Sequence, residues 1–177
     1  GGLVLGFTTG EFAGMNAANA PQSLSRTLAA GQETLMIGTR VRHSGSLAST
    51  STIAQISTST GVLIASVGIA HPGNFLQITT SAAPTTPTVS ASAVVSSGTW
   101  YTIELAARAV GASSNVEVRL NGAQVADLTS SLTLTTALAR LPTLGAVSSA
   151  AILAHDWVWV KGGTGLWASA DFLGNCK

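Results

Sequence analysis

The chain has 177 residues, of which 46% are hydrophobic and only 8% are charged, against about 25% charged in an average globular protein. The formal net charge of +1 provides no basic stripe, and nucleic-acid binding draws on several clustered cations, so we expect no nucleic-acid partner. A surface with few charges is poorly protected against association. Two explanations of the low charge stay open: the surface is buried in a homo-oligomer, or the lineage of the protein favours small residues.

The sequence also argues against an internal disulfide, a cysteine-rich zinc site and a membrane-spanning segment. Cys176 is the only cysteine, so an internal disulfide and a zinc site with several cysteines are both excluded. The longest apolar run, residues 61–70, is far shorter than the ~20 residues that span a bilayer. No signal peptide is visible either, and we expect no membrane partner.

The hydrophobic pattern predicts ten to twelve short strands, because apolar and polar residues alternate and no segment has helical periodicity with caps at both ends. Residues 15–28 are expected to form a loop, residues 82–88 an extended connector and residues 132–142 a connection with one helical turn. In chain order the main predicted strands are residues 3–7, 33–43, 53–57, 62–69, 75–79, 89–95, 101–108, 116–120, 144–147 and 151–160.

The clearest pattern is an antiparallel meander in residues 100–128. Its second turn, Asn121-Gly122, is typical of a two-residue type I′ hairpin, in which both central residues need a positive φ. A first turn centred on Gly111-Ala112 would place Arg108 opposite Glu117 as an ion pair. This many short strands with one core must close into a barrel or stack as two sheets. We predict a single all-β domain over residues 1–177, an antiparallel two-sheet jelly-roll sandwich.

Two groups of motifs carry a resemblance. Residues 98–100, the alternating strand after them and the hairpin of residues 116–122 resemble the laminin G-like or concanavalin A-like jelly roll. Residues 156–160, the glycine-rich turn 162–165 and the Asp-Phe-Leu-Gly motif of residues 171–174 are similar to the ending of tailed-phage structural proteins. The resemblance implies a virion surface component. Its partners would be the major capsid protein or other virion proteins.

The acidic residues do not form a hydrolase pattern. Glycoside hydrolysis typically needs two carboxylates about 5–10 Å apart, and no two of the seven acids are fewer than ten residues apart in sequence. A nucleophile elbow and a phosphate-binding loop are also missing from the sequence. We therefore predict a binding protein rather than an enzyme, with no cofactor.

Asp156 and Asp171 are weak candidates for a calcium-dependent lectin site, which needs several oxygen ligands. Aspartates also cap turns by accepting hydrogen bonds from backbone N–H groups, and we favour that role for both residues. His43, His71 and His155 lie far apart in sequence and are expected to be unrelated polar positions.

Three tryptophans, Trp157, Trp159 and Trp167, are the candidate binding residues. Val158 and Val160 share the core face of their strand, so Trp157 and Trp159 are expected on the outer face. Three interpretations stay open. The loop that holds Trp167 folds over the indoles within one subunit, the indoles anchor a subunit or capsid contact, or they stack on sugar rings.

The leading hypothesis is a phage virion structural protein that decorates or cements the capsid as a homo-oligomer, through low-charge contacts. The alternative is a carbohydrate-binding adhesion module of a head or tail fibre, which would bind a host glycan.

Overall fold

The computed structural model describes residues 13–16, 24–25, 27–45, 47, 49–139, 141–144 and 152–172. Thirteen strands and three single-turn 3₁₀ helices occur in them, and none of these helices is long and apolar enough to cross a membrane. The strands are Ala13–Asn16 (β1), Leu24–Ser25 (β2), Thr34–Ser44 (β3), Ser51–Ser57 (β4), Leu63–Ile69 (β5), Phe75–Thr80 (β6), Ala83–Val94 (β7), Tyr101–Arg108 (β8), Ser114–Leu120 (β9), Ala123–Gln124 (β10), Ser130–Leu132 (β11), Leu141–Leu144 (β12) and Ile152–Gly163 (β13).

The strands form two antiparallel sheets that enclose one main apolar core. The seven-stranded sheet has the order β1-β13-β3-β8-β9-β10, with β11 also paired to β9, and the six-stranded sheet has the order β2-β12-β4-β5-β6-β7. Leu35 and Ile37 of β3 pack in this core with Ile56 of β4 and Val67 of β5. The predicted all-β, two-sheet jelly-roll sandwich is confirmed.

The alternation in sequence sets which side chains face the core. In β3, Leu35, Ile37 and Val41 are fully or almost fully buried in the main core, whereas Arg40 and Arg42 are exposed on the opposite face. Successive side chains of a strand point to opposite faces of its sheet. The predicted assignment of faces in this strand is therefore correct.

The register of the first hairpin in the meander differs from the prediction. Arg108 lies opposite Asn115 instead of Glu117, because residues 108 and 115 are equidistant from a turn centred on Gly111-Ala112, where the 3₁₀ turn Gly111–Ser113 lies. The expected partner was placed two residues too far along β9. A slip of two residues keeps every side chain on its predicted face. Arg108 pairs instead with Glu33, Nε to Oε1 at 2.6 Å, so the expected Arg108–Glu117 ion pair is wrong.

The second turn of the meander is confirmed, since Asn121 and Gly122 have φ of 52° and 81°.

Elsewhere, strands replace predicted loops. The expected loop of residues 15–28 overlaps β1 and contains β2, and the expected connector of residues 82–88 forms the first half of β7.

The helical turn expected in residues 132–142 is not found in the described residues of that span, where β11 ends at Leu132 and β12 begins at Leu141. The predicted strand of residues 144–147 overlaps β12 only at Leu144, and residues 145–147 lie outside the described part. The predicted opening strand of residues 3–7 also lies outside it.

The two sheets differ sharply in charge. None of the described strands of the six-stranded sheet contains Lys, Arg, Asp or Glu, and the whole stretch from residue 43 to residue 103 lacks these four residue types. The edge strand β7 is the most exposed part of that sheet, with Thr85, Thr86 and Thr88 open to solvent. The charged strand residues all belong to the seven-stranded sheet: Arg40, Arg42, Glu104, Arg108, Glu117, Arg119, Asp156 and Lys161.

Candidate functional site

The outer face of the seven-stranded sheet brings together two of the three predicted tryptophans. Across β13, β3, β8 and β9, the strand register places residues from four strands in one row: Trp159, Gly38, Glu104 and Arg119. The C-terminal segment of residues 164–172 contacts this face, and we call it the strap. It contributes Trp167 and Phe172 to a second, smaller apolar cluster.

Trp159 is the centre of that cluster. Its side chain faces outward from the sheet, as predicted, but it is only 2% exposed because Trp167 and Phe172 of the strap pack with it. Met36 and Ala106 complete the cluster. Of the three interpretations, the one in which the loop folds over the indole within one subunit describes Trp159.

Trp167 is half-buried and is held by a charged pair. Its Nε1 donates to Oε2 of Glu117 at 2.6 Å, and the other oxygen of that carboxylate accepts from Arg119 Nε at 2.7 Å. The guanidinium of Arg119 lies 3.9 Å from the centre of the Phe172 ring, and the Phe172 and Trp167 rings meet edge to face at 6.4 Å. One arginine and one glutamate therefore fix both aromatic residues of the strap.

The start of the strap is anchored at Glu33. The backbone N–H of Gly165 donates to Oε1 of Glu33 at 3.2 Å, and the hydroxyl of Thr34 donates to the Gly165 carbonyl. The hydrogen bond from Arg108 holds the pKa of Glu33 below its usual value, and the Gly165 N–H adds to this effect. Glu33 therefore stays ionised to a lower pH than an unperturbed glutamate does.

The end of the strap is anchored at Asp171. Its carboxylate pairs with Lys161 of β13 and accepts a hydrogen bond from the backbone N–H of Ala168 at 2.7 Å. The Lys161 ammonium lowers the pKa of Asp171, and the Ala168 N–H lowers it further. Asp171 thus caps a turn, which is the role favoured from sequence.

Trp157 and Asp156 lie where β13 is irregular. The pairing of β13 with β3 shifts register between Asp156 and Val158, so a β-bulge interrupts the alternation on which their predicted orientation rested. Bulges re-aim the side chains next to them. The side chains of Asp156 and Trp157 lie outside the described part of the chain, and their proposed roles stay predictions.

Several other described polar residues are buried or form hydrogen bonds within the subunit. Both oxygens of Asp127 accept from the hydroxyl of Ser90 at 3.0 Å, and Glu104 is fully buried. His43 Nε2 lies 2.8 Å from the carbonyl of Val95, and His155 Nδ1 lies 3.0 Å from Thr39 Oγ1. No group of three metal-ligating side chains occurs among the described residues.

The sequence analysis missed a second feature of this face, which we call the Trp100 patch: Trp100, Arg40 and Arg42. The guanidinium carbons of Arg40 and Arg42 lie 5.3 and 5.0 Å from the centre of the Trp100 ring system. Both arginines are exposed and Trp100 is half-buried. The sequence held only part of the signal: it shows that the two arginines alternate on one strand face, whereas the pairing of their strand with the one after Trp100 exists only in the fold.

Comparisons with known proteins find similarity in structure alone. No protein-family model matches the chain, and no curated protein matches it in sequence. A sialidase structure superposes with a TM-score of 0.64 at 7% identity over 85% of this chain, and the Trypanosoma rangeli sialidase with 0.58 at 10% over 78%. The chain spans only 15% and 21% of the lengths of those two proteins.

A third similar structure matches over nearly its whole length. The alginate lyase Aly36B, in complex with an alginate trisaccharide, superposes with a TM-score of 0.54 at 11% identity, over 88% of this chain and 89% of the lyase. These neighbours are carbohydrate-processing proteins, but identities this low establish the fold and not the activity. The chain is, in fold, a two-sheet antiparallel β-sandwich of the jelly-roll kind.

Proposed function

We propose that this chain is a non-catalytic structural protein of a tailed-phage virion, which decorates the capsid and attaches through its six-stranded sheet. The observation that carries the proposal is the segregation of charge, since the described strands of that sheet contain no Lys, Arg, Asp or Glu. Charged residues are depleted at the cores of protein–protein interfaces. A surface covered by hydroxyl and aliphatic groups can be buried against a shell without desolvating an ion.

Four of the five large apolar side chains that are exposed among the described residues support this orientation, and the fifth, Leu166, lies in the strap. Val62 and Leu138 are 56% and 49% exposed and line one shallow depression together with Thr58 and Thr60. Val89, on the edge strand β7, is 46% exposed. We propose that these positions contact the major capsid protein or sister subunits in a homo-oligomer at the virion surface.

The virion assignment itself rests on the resemblance of residues 156–174 to tailed-phage structural proteins. The resembling C-terminal residues act together in this fold, because Asp171 caps the last turn and Phe172 packs against Trp159. A motif whose members have a joint structural task is a stronger sign of common origin than scattered identities. This supports the proposal.

The second candidate is a carbohydrate-binding adhesion module of a head or tail fibre. It is favoured by the Trp100 patch, since aromatic rings present flat faces on which sugar rings stack. It is also favoured by a neighbour of similar length whose structure contains an alginate trisaccharide. On this candidate the ligand would be a glycan on the host surface.

The test of shell attachment uses the full chain and capsids assembled from the major capsid protein of the same source. Bound protein is quantified by co-sedimentation, and the capsids are then heated to measure their disruption temperature. We expect Val62→Glu and Thr86→Glu, which put a charge on the six-stranded sheet, to lower occupancy at least tenfold. Ala112→Glu, on an exposed turn of the other sheet, is the control and should leave occupancy unchanged. Full occupancy of both six-stranded-sheet variants would contradict the proposed orientation, and failure of the unaltered chain to bind would contradict shell attachment.

A further inference from the structure

A groove lies on the outer face of the seven-stranded sheet, between the strap and the strands β9, β10 and β11, and we call it the strap groove. Its volume is about 480 Å³, within the range of about 300–1,000 Å³ that is typical of small-molecule sites. The strap forms one wall and the strands form the other. The lining includes Asn115, Arg119, Gln124, Leu166, Trp167 and Ser169.

The walls of the strap groove are held in place by hydrogen bonds within the subunit. Nη2 of Arg119 donates to the hydroxyl of Ser169 at 3.0 Å and ties the strap to β9. Nδ2 of Asn115 donates to the hydroxyl of Ser131 at 2.8 Å and ties β9 to β11. Side chains that are already ordered lose less entropy when a ligand binds. The groove is therefore preorganised.

The charges in the strap groove compensate each other. Arg119 and Glu117 form a salt bridge, Nε to Oε1 at 2.7 Å, and both side chains are largely buried. The second carboxylate oxygen of Glu117 accepts from Nε1 of Trp167. Removing one partner of a buried ion pair is strongly unfavourable, because the other charge is left uncompensated. An ionic ligand finds no counter-charge here without breaking this pair, so the groove favours an uncharged ligand.

The rest of the lining combines apolar and polar surface. Leu166 is 60% exposed, and the part of Trp167 that is not buried lines the groove beside it. The amides of Asn115 and Gln124 and the hydroxyl of Ser131 line the opposite wall. A sugar ring has the same two kinds of surface, since C–H groups cover its faces and hydroxyl groups surround its edge.

We infer that the strap groove binds an uncharged oligosaccharide. Sugar rings pack with one face on Trp167 and Leu166, and their hydroxyls hydrogen-bond with the amides of Asn115 and Gln124. A peptide that adds to a sheet edge is held mainly by main-chain hydrogen bonds, whereas this groove presents side-chain amides and hydroxyls, which favours the saccharide. The inference rests on the second candidate function and gives it a site, on the face opposite the proposed shell-binding surface.

The experiment is a calorimetric titration of the full chain with three kinds of probe. The first are two uncharged chains, cellotetraose and mannotetraose, and the second are the same chains oxidised at C6 to carboxylates. The third is a hexapeptide of alternating threonine and valine. We expect saturable binding of at least one uncharged tetrasaccharide, at least tenfold weaker binding of its oxidised form, and no binding of the peptide.

Two variants test the position of the site. Ser131→Phe fills the groove and should weaken tetrasaccharide binding at least tenfold. Gln124→Ala removes an exposed amide without adding bulk and should weaken binding at least threefold. Ser97→Phe places the same ring at an exposed position outside the groove and should change the affinity less than twofold. Thermal unfolding, followed by far-ultraviolet circular dichroism, checks that all three variants keep the fold.

Each other outcome overturns the inference in a distinguishable way. Tetrasaccharide binding that neither Ser131→Phe nor Gln124→Ala weakens would reject this groove and leave carbohydrate binding standing. Equally tight binding of the oxidised chains would reject an uncharged ligand, and tighter binding of the hexapeptide than of any saccharide would replace the saccharide by a protein segment. Silence with all probes would reject both the groove and the second candidate function, and would leave shell attachment to its own test.

Discussion

The indole of Trp159 occupies the space in which Gly38, its partner across β13 and β3, would carry a side chain. A Cβ atom built on Gly38 would lie 2.1 Å from Nε1 of Trp159, which is impossible without displacing one of them. The glycine lets the large ring lie flat on the sheet, where the strap covers it. The small residue on β3 and the large residue on β13 are therefore one structural unit.

Gly38→Ala is expected to destabilise the protein by about 1–3 kcal/mol, because overpacking of a filled site forces side chains and backbone to shift. Displacing Trp159 would also expose it, so its fluorescence should move to longer wavelength. Both effects are measured by urea unfolding followed through tryptophan emission. Gly163→Ala is the matched control on β13, since a Cβ there meets no atom within 4 Å. If Gly38→Ala unfolds like the unaltered chain, the packing of Trp159 over Gly38 is incorrect.

Trp167→Phe is expected to loosen the strap while keeping an aromatic ring in place. The change removes the hydrogen bond from Nε1 to Glu117, and a hydrogen bond to a charged group contributes about 1.5–3 kcal/mol. Limited proteolysis should then cut within residues 164–172 faster than in the unaltered chain. Leu166→Ala, at a position that is 60% exposed, serves as the control and should be cut at the original rate. Equal cleavage of Trp167→Phe and Leu166→Ala would show that the hydrogen bond does not hold the strap.

Asp127→Ala is expected to leave a backbone N–H group of the edge strand β7 without its hydrogen-bond partner. Its carboxylate accepts from the backbone N–H of Ala91 at 2.7 Å, and prolines at positions 84 and 87 lack an N–H altogether. Edge strands with unpaired N–H groups are templates for pairing with another chain. The variant should lose about 1 kcal/mol of stability and should self-associate, as measured by light scattering. Gln124→Ala, at an exposed position nearby, should stay as monodisperse as the unaltered chain.

Acid is expected to release the strap at both of its ends. The pKa of Glu33 is lowered by Arg108 and that of Asp171 by Lys161, so each carboxylate is ionised more readily in the folded state than in the unfolded state. A lowered folded-state pKa contributes stability that is present above the unfolded value of about 4 and is lost as the pH falls through the folded value. Glu33→Gln should therefore be less stable than the unaltered chain at pH 7, and the difference should be smaller at pH 2.5. An equal difference at both pH values, in thermal unfolding, would contradict this linkage.

The sequence predicted the local part of this structure well. Alternation placed Leu35, Ile37 and Val41 on the core face, and the Asn121-Gly122 pair predicted its hairpin, because both signals act between neighbouring residues. The strap could not be predicted in the same way. Its contact from Gly165 to Glu33 joins residues 132 positions apart, and no spacing rule covers such a distance.

The candidate site was predicted only in part, because its contacts also join residues that are distant in sequence. Trp159 was correctly assigned to the outer face, but the sequence left open whether the strap would cover it. The turn at Gly111-Ala112 was located correctly, but the partner of Arg108 was counted two residues too far along β9, so Glu117 was expected where Asn115 lies. The Trp100 patch was missed because its stacking depends on two strands that are adjacent only in the folded sheet.

The charge segregation between the two sheets gives them different responses to ionic strength. Dissolved salt screens interactions between exposed charges over a distance of about 8 Å at 0.15 M. The described strands of the six-stranded sheet contain no ionised side chain. A contact made through this sheet should therefore change little with salt concentration. A contact made through the charged residues of the seven-stranded sheet would weaken as the salt concentration rises. A contact through the six-stranded sheet should therefore keep its strength over a wide range of salt concentrations, whereas the strength of a contact through the charged residues of the seven-stranded sheet should depend on the salt concentration.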